Sequence, residues 1–246
     1  MRTPGPINDG APHFEIVYVA RTHRLGNMTV ILLRHGRSTA NTSGVLAGRA
    51  EGVALDDAGR AQAADLVGRL ADVDLVAAIR SPLLRCEQTL APLAAAHGLT
   101  PEVDDRLVEV DYGAWTGRAI KDLLQEPLWK VVQQQPSAAV FPDGEGLADV
   151  QARAVAAVRE ADRRFTEEHG PGAVWVACSH GDVIKAVVAD ALGTHLDQFQ
   201  RLFVAPASVS VVTYGPARPL VQCVNSSGSV TLPKRPAKEA TVGGEA

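Results

Sequence analysis

One stretch near the amino terminus, residues 29–44, constrains the fold of this chain more than any other. It begins with Thr29–Leu33, five uncharged residues that are β-branched or aliphatic, a pattern typical of a strand buried on both faces of a parallel sheet. The strand pattern ends abruptly at Arg34-His35-Gly36. Because ligand sites in open α/β sheets lie beyond the carboxyl ends of the strands, we expect an α/β fold with its chemistry at this turn.

The residue types in this turn suit phosphate chemistry. A neutral histidine such as His35 can attack an electrophile, and the guanidinium of Arg34 can hold two oxygens of a phosphate group. Gly36 would let the backbone approach a ligand closely. A solvated basic turn after a strand has the same composition, so the tripeptide alone leaves both interpretations open.

Length and charge narrow the class of protein. The 246 residues suit one α/β domain with appendages, and a hydrophobic content of 46% is enough for a full core. The net charge of −4 argues against a nucleic-acid partner, because such binding relies on neutralising backbone phosphates. Arginines clustered within an acidic protein instead indicate a small anionic ligand.

Cysteine spacing and apolar runs exclude further classes. Cys86, Cys178 and Cys223 have no C-x-x-C spacing, so neither structural zinc nor a disulfide framework is expected. No His, Cys, Asp or Glu cluster has metal-ligand spacing, and the sequence predicts neither a metal nor another cofactor. No apolar run approaches about 18 residues, so no membrane partner is expected and the chain is predicted to be cytoplasmic.

The two ends of the chain differ in composition from its middle. Residues 1–27 open with a mixture of Pro, Gly, Asn and Asp that predicts disorder. Met28 lies directly before the first strand, which suggests that the leader is non-native. The tail, residues 231–246, is rich in Pro, Lys, Gly and Glu and is also predicted to be disordered. The predicted domain therefore spans residues 28–230.

Two further predicted strands also end in polar residues. Asp74–Ile79 is followed by a helix with Arg85 in its first turn, where a cation opposes the helix dipole and an anion would hold it. Ala173–Cys178 is followed by His180 at the start of a helix, where backbone N–H groups suit an anion. A surface arginine and a buried core histidine are the alternatives, but the recurrence of a strand-end histidine favours a site.

Apolar periodicity and turn signals predict the remaining elements. They are helices at 56–70, 83–97, 147–168 and 183–192, and strands at 208–214 and 220–224. The segment 114–146 contains helical pieces broken by prolines and is predicted to cap a pocket, which is where we expect substrate selectivity to lie. Its aromatic residues Trp129 and Phe141 would more commonly pack on a core.

Four sequence blocks, in order, resemble branch 1 of the histidine phosphatase superfamily, also called the phosphoglycerate-mutase-like family. The blocks are Leu33-Arg34-His35-Gly36 with Ser38 and Asn41; Ser81-Pro82-Leu83-Leu84-Arg85-Cys86; Arg106-Leu107-Val108-Glu109 with Gly113, Trp115 and Gly117; and Ser179-His180-Gly181. They run in the family's order from about residue 29 to 193. The resemblance implies a three-layer α/β/α sandwich on a mostly parallel central sheet.

The resemblance also implies a role for each matching residue. His35 would be the nucleophile that becomes phosphohistidine, Glu109 the general acid, and His180 a further catalytic residue. The phosphate-binding residues would be Arg34, Asn41, Arg85 and Gly181. Asp111 is the nearby rival of Glu109 for the acid.

The function implied is that of a metal-independent phosphatase acting on a small phosphorylated metabolite. The acid-phosphatase branch carries Arg and Pro where Ser38 and Ala40 stand here, which argues against that branch. A phosphoglycerate mutase-type phosphomutase, an isomerase, is the nearest alternative, although residues 118–146 lack the paired arginines and proline run of mutases. A non-catalytic phosphate-binding regulatory module is a further alternative, and the sequence leaves a homodimer open.

Overall fold

The computed structural model describes residues 28–215, 217–230 and 232, and the predicted leader and nearly all of the predicted tail lie outside them. Its centre is a six-stranded sheet with the strand order β3-β2-β4-β1-β5-β6. The strands are β1 Met28–Arg34, β2 Leu75–Arg80, β3 Glu102–Val103, β4 Val174–Ser179, β5 Val209–Tyr214 and β6 Leu220–Ser226.

The sheet is mostly parallel, as the sequence predicts. Strands β1 and β2 each pair with β4 in parallel, and β2 also pairs with β3 in parallel. Strand β5 runs antiparallel to β1, and β6 runs antiparallel to β5, so β6 again has the direction of β1. The carboxyl ends of β1, β2 and β4 therefore lie at one edge of the sheet.

Helices cover both faces of the sheet and form its outer layers. They are α1 Thr39–Ser43, α2 Asp57–Arg69, α3 Leu84–Ala96, α4 Ile120–Leu123, α5 Pro127–Gln134, α6 Leu147–His169 and α7 Gly181–Ala191. Strand β1 shows the layering, because successive side chains of a strand point to opposite faces. Val30 and Leu32 join the core that contains α6 and α7, whereas Ile31 and Leu33 join the core that contains α2 and α3. The predicted three-layer sandwich is confirmed.

The start of α2 explains Gly36 differently from the sequence analysis. Asp56 caps the helix by accepting a hydrogen bond from the Gly59 backbone N–H at 2.8 Å. A Cβ atom at Gly36 would lie 2.8 Å from the Gly59 carbonyl oxygen, and a Cβ at Gly59 would lie 2.0 Å from the Arg37 carbonyl oxygen. The packing of the turn on α2 therefore requires a glycine at position 36.

Within the segment predicted as a cap, the aromatic side chains pack on the core. Trp129 stacks on Trp115 with ring centroids 6.2 Å apart, and buried Phe141 contacts Trp115 edge-on. Pro127 and Pro136 each begin a short helical piece rather than ending one, because the first helical position needs no N–H donor. The packing interpretation of the aromatic residues is thus the one that the structure supports.

The described part of the chain has neither a membrane-spanning helix nor a metal-binding cluster. No helix there combines the length and the apolar character needed to cross a membrane. Within the same residues, no group of three or more His, Cys, Asp or Glu side chains is arranged to hold a metal ion.

Candidate active site

The parallel pairing of β1 with β4 brings the two strand-end histidines together. Arg34 stands opposite Ser179 in the register, so His35 and His180, which follow them, emerge side by side. Their ring centroids are 5.3 Å apart, with the ring planes tilted by 60°. His35 is further tied to the neighbouring strand, because its backbone N–H donates to the Ser179 carbonyl at 3.0 Å.

A cleft of about 290 Å³ opens beside these histidines. It is lined by most of the side chains that the sequence analysis singled out, namely Arg34, His35, Asn41, Arg85, Glu109 and Gly181. His180 does not contribute to the lining, because its side chain is completely buried. The volume lies at the lower end of ligand pockets, which are roughly 300–1,000 Å³, so the cleft suits a small ligand.

His35 is held in a neutral form with one free ring nitrogen. Its Nδ1 lies 2.7 Å from the Gly36 carbonyl oxygen. Since a carbonyl only accepts, Nδ1 carries the proton and Nε2 keeps its lone pair. Burial, followed by the positive charges of Arg85 and Arg34, lowers the pKa of His35 to about 3. The ring is therefore neutral near pH 7.

Two arginines beside His35 leave hydrogen-bond donors unused. Arg34 donates from Nη1 to the Val204 carbonyl, and its buried Nε has no partner. Arg85 donates from Nη2 to the Gly48 carbonyl at 2.8 Å, and its buried Nη1 has no partner. No carboxylate among the described residues forms an ion pair with either one. Unpaired buried donors on cations mark a place where an anion would be bound.

Only one of the two ring nitrogens of His180 has a hydrogen-bond partner. Its Nε2 lies 2.7 Å from the Ser81 hydroxyl, whereas its buried Nδ1 has no hydrogen-bond partner. That Nδ1 is 3.8 Å from Oε2 of Glu109. Burial, followed by the charge of Arg85, holds the pKa of His180 well below its usual value, so the ring is neutral.

Glu109 is one of two carboxyl groups that line the cleft, and Asp182 is the other. Its Oε1 accepts a hydrogen bond from the Val110 backbone N–H at 2.9 Å, and 12% of its side chain stays exposed. Burial, followed by the negative charge of Asp182, raises the pKa of Glu109 to about 7. The rival carboxyl, Asp111, does not line the cleft and accepts from the Gly113 backbone N–H instead.

A second carboxylate fixes the loop that carries Glu109. Glu145 accepts hydrogen bonds from Arg49 at 2.8 Å and from Arg153 at 2.7 Å. Both arginines also donate to the Glu109 backbone carbonyl, at 2.9 Å and 3.3 Å. No sequence pattern indicates a role for Glu145, because its partners Arg49 and Arg153 are far apart in the chain.

The sequence analysis also missed the network around Asp182. Tyr112 donates from its hydroxyl to Asp182 at 2.8 Å, and Lys185 donates at 3.0 Å. Burial opposes the charge of Asp182, but these partners outweigh it and hold the pKa below its usual range. The signal for the network is local, since Asp182 directly follows Gly181 and Lys185 is one helical turn later.

Asn41 and Gly181 complete the cleft floor. The Asn41 side-chain oxygen accepts from the Ser38 backbone N–H at 3.0 Å and from its hydroxyl at 2.9 Å, which leaves the amide NH₂ for the cleft. A Cβ atom at Gly181 would lie 3.2 Å from Cζ of Arg34, so a glycine makes room for the guanidinium.

Known proteins are similar to this chain over most of its length. The chain is 29% identical over 189 residues to phosphoserine phosphatase 1 of Hydrogenobacter thermophilus, covering 74% of this chain and 85% of that protein. It is also 29% identical over 189 residues to the probable phosphoglycerate mutase GpmB of Yersinia pestis, covering 76% and 85%.

A solved structure shares the fold. The mycobacterial glucosyl-3-phosphoglycerate phosphatase Rv2419c, in complex with VO3, superposes with a TM-score of 0.72 at 26% identity, over 80% of this chain and 98% of that one. The model of the histidine phosphatase superfamily (branch 1) matches residues 30–227. The chain therefore belongs to branch 1 of the histidine phosphatase superfamily.

Proposed function

We propose that this protein is a phosphatase that hydrolyses a small phosphomonoester through a phosphohistidine intermediate on His35, without a metal ion. One observation carries the proposal. The free Nε2 of a neutral His35 is flanked by two cations, Arg34 and Arg85, whose buried donors have no partner. A phosphoryl group placed against Nε2 would receive those donors, and phosphoryl transfer depends mainly on such positioning and charge neutralisation.

The first half of the reaction forms the P–N bond. Nε2 of His35 attacks phosphorus, and the bond from phosphorus to the ester oxygen breaks. Arg34 and Arg85 neutralise the charge on the non-bridging oxygens. Glu109, whose pKa is raised to about 7, donates its proton to the departing alkoxide, so that a neutral alcohol leaves.

The second half returns the enzyme to its starting state. Glu109, now a carboxylate, takes a proton from water, and the oxygen of that water attacks phosphorus. The P–N bond breaks, which restores neutral His35 and releases inorganic phosphate. The reuse of one carboxyl as acid and then base requires a pKa close to the working pH, and the value of about 7 satisfies this requirement.

Three further residues are proposed to hold phosphate oxygens: Asn41 and Gly181 from the cleft lining, and the buried His180 beside it. The Ser81 hydroxyl can donate to Nε2 of His180, which would leave the unpartnered Nδ1 protonated as a donor. The Asn41 amide faces the cleft, and Gly181 supplies a backbone N–H at the start of α7, where the helix dipole favours an anion.

The acid role of Glu109 is tested by the leaving group. Glu109→Gln is expected to lower the rate of phosphoenzyme formation by about 10²–10⁴-fold for alkyl phosphates, whose alkoxides need a proton. The loss should be much smaller for p-nitrophenyl phosphate, whose leaving group needs little protonation. Asp111→Asn is the matched control and should affect neither ester. A larger leaving-group-dependent loss in Asp111→Asn would move the acid to that residue.

A phosphomutase is the second candidate, and the similarity to a probable phosphoglycerate mutase is what favours it. Phosphate release measured with malachite green, with EDTA present, separates the two. A phosphatase should release one phosphate for each alcohol formed, and activity should persist in EDTA. A mutase should be primed by 2,3-bisphosphoglycerate and keep its product phosphorylated.

We also propose that the enzyme works in the cytoplasm on a small phosphorylated metabolite. The three cysteines are free thiols, a state typical of a reducing compartment. A non-catalytic phosphate-binding module has less support, because the residues proposed as nucleophile, acid and phosphate donors line one cleft.

A further inference from the structure

The cleft lining includes seven apolar side chains outside the set proposed for phosphate chemistry, and we call them the apolar rim. They are Val45, Leu46, Ala47, Ile120, Leu202, Phe203 and Val204. Phe203 is 70% exposed and Ile120 is 39% exposed, although both are large hydrophobic residues. Isolated exposed hydrophobic residues are ordinary, but two large ones that line the same cleft as His35 indicate a surface that a ligand covers.

Hydrogen bonds to the backbone hold the two sides of the apolar rim in place. On one side, the Ile120 backbone N–H donates to the Gly44 carbonyl at 2.9 Å, and the Gly117 N–H donates to the Leu46 carbonyl at 2.8 Å. On the other side, the Val204 carbonyl accepts a hydrogen bond from Nη1 of Arg34. A preformed surface avoids the entropic cost of ordering on binding, so the rim is suited to contribute affinity.

The cleft offers no free cation outside its floor. Among the described lining residues, the cations are Arg34, Arg85 and Lys185. Lys185 is already engaged, since it donates to Asp182 at 3.0 Å and to Gln200 at 2.7 Å and lies 4.2 Å from the Phe199 ring centroid. A carboxylate on the alcohol part of a substrate would meet Asp182 without an unpaired positive partner, which is unfavourable.

We propose that the substrate's alcohol part is uncharged and has an apolar face that packs on Phe203 and Ile120, and that phosphorylated carboxylic acids are poor substrates. This inference rests on the proposed phosphatase activity. Phe203 and Ile120 are then specificity-determining residues. Ile120 lies within residues 114–146, where selectivity is expected from the sequence, whereas Phe203 lies outside that segment.

Matched alkyl phosphates test the proposal through kcat/KM of the full chain. Glycerol 1-phosphate and 3-phosphoglycerate differ by a carboxylate, and 2-phenylethyl phosphate adds an apolar ring. The expected order is 2-phenylethyl phosphate, then glycerol 1-phosphate, then 3-phosphoglycerate. Phe203→Ala should lower kcat/KM for the phenylethyl ester by about tenfold and leave that for glycerol 1-phosphate within about twofold. Leu192→Ala, at an exposed residue outside the cleft lining, is the control and should change neither value.

Two results would overturn this inference about the substrate without contradicting the proposed phosphatase function. One is a preference for 3-phosphoglycerate that Lys185→Met removes, which would make Lys185 a carboxylate receptor. The other is an equal loss for every ester in Phe203→Ala. If no ester is hydrolysed, the proposed function fails, and calorimetric affinities for the three esters then decide the inference by the same order.

Discussion

Two arginines are buried among the residues that the structure describes, and their surroundings are opposite. Arg69 of α2 donates to three backbone carbonyls, those of Ala207, Ser226 and Gly228, at 2.8, 3.0 and 3.1 Å. Arg85 of α3 donates to one carbonyl and leaves the buried Nη1 without a partner. Neither has an ion-pair partner among the described carboxylates.

The number of hydrogen-bond partners distinguishes a structural cation, Arg69, from a cation that can still bind a ligand, Arg85. Taking a charge out of water is costly unless hydrogen bonds replace the lost solvent. The carbonyls around Arg69 provide that replacement and join α2 to the chain near β5 and β6. Around Arg85 the replacement is incomplete, and the proposed phosphoryl group would complete it. The comparison predicts opposite consequences for activity and stability when each charge is removed.

Removing the Arg85 charge should produce the largest effect, and it should fall on activity. Arg85→Met is expected to lower kcat by about 10²–10³-fold, the usual cost of losing a donor that stabilises transition-state charge. The free energy of unfolding should stay unchanged or rise, because an incompletely paired buried guanidinium is replaced by an apolar chain. Steady-state kinetics and urea denaturation measure the two effects. A clear loss of stability in Arg85→Met would contradict the account.

Removing the Arg69 charge should act on stability instead. Arg69→Met deprives three carbonyls of their donor, so we expect the free energy of unfolding to fall by about 2–4 kcal/mol. The value of kcat, measured where the variant is folded, should stay within about threefold of the original. A loss of kcat comparable with that of Arg85→Met would remove the distinction between the two arginines.

The same comparison applies to two carboxyl groups, Asp182 and Glu109, and there we expect a smaller effect, on the pH dependence of activity. Asp182 is fully paired, like Arg69, whereas Glu109 has one backbone donor, like Arg85. The charge of Asp182 raises the pKa of Glu109, so removing it in Asp182→Asn should let Glu109 ionise at lower pH. Activity that needs protonated Glu109 is lost as pH rises through its pKa. The alkaline limb of kcat/KM should therefore move from near pH 7 to lower pH, by about one unit. An unchanged limb would show that another group controls it.

Sequence reasoning located the floor of the cleft because the floor follows from strand ends. Buried apolar runs mark β1 and β4, and the residues after them, His35 and His180, must meet once the strands pair in parallel. The complete burial of the His180 side chain was not foreseeable, because it depends on how the ring packs against Ser81.

The rim of the cleft was beyond sequence reasoning for a physical reason. Residues 45–47 and 202–204 are short irregular segments far apart in the chain, and no periodic pattern links them. The prolines and aromatic residues of 114–146 drew attention to that segment, yet Trp129 and Phe141 pack inward because large rings bury readily. Loop positions of this kind are fixed by tertiary contacts alone.

The most direct test of the central claim is to trap the phosphoenzyme and locate the phosphoryl group. Protein mixed briefly with excess phosphomonoester, quenched in alkali and digested, is analysed by mass spectrometry under conditions that preserve phosphohistidine. The account predicts one acid-labile phosphoryl group, on the peptide that contains His35, and none in His35→Ala. A phosphoryl group on another residue, or labelling that persists in His35→Ala, would contradict the assignment of His35 as the nucleophile.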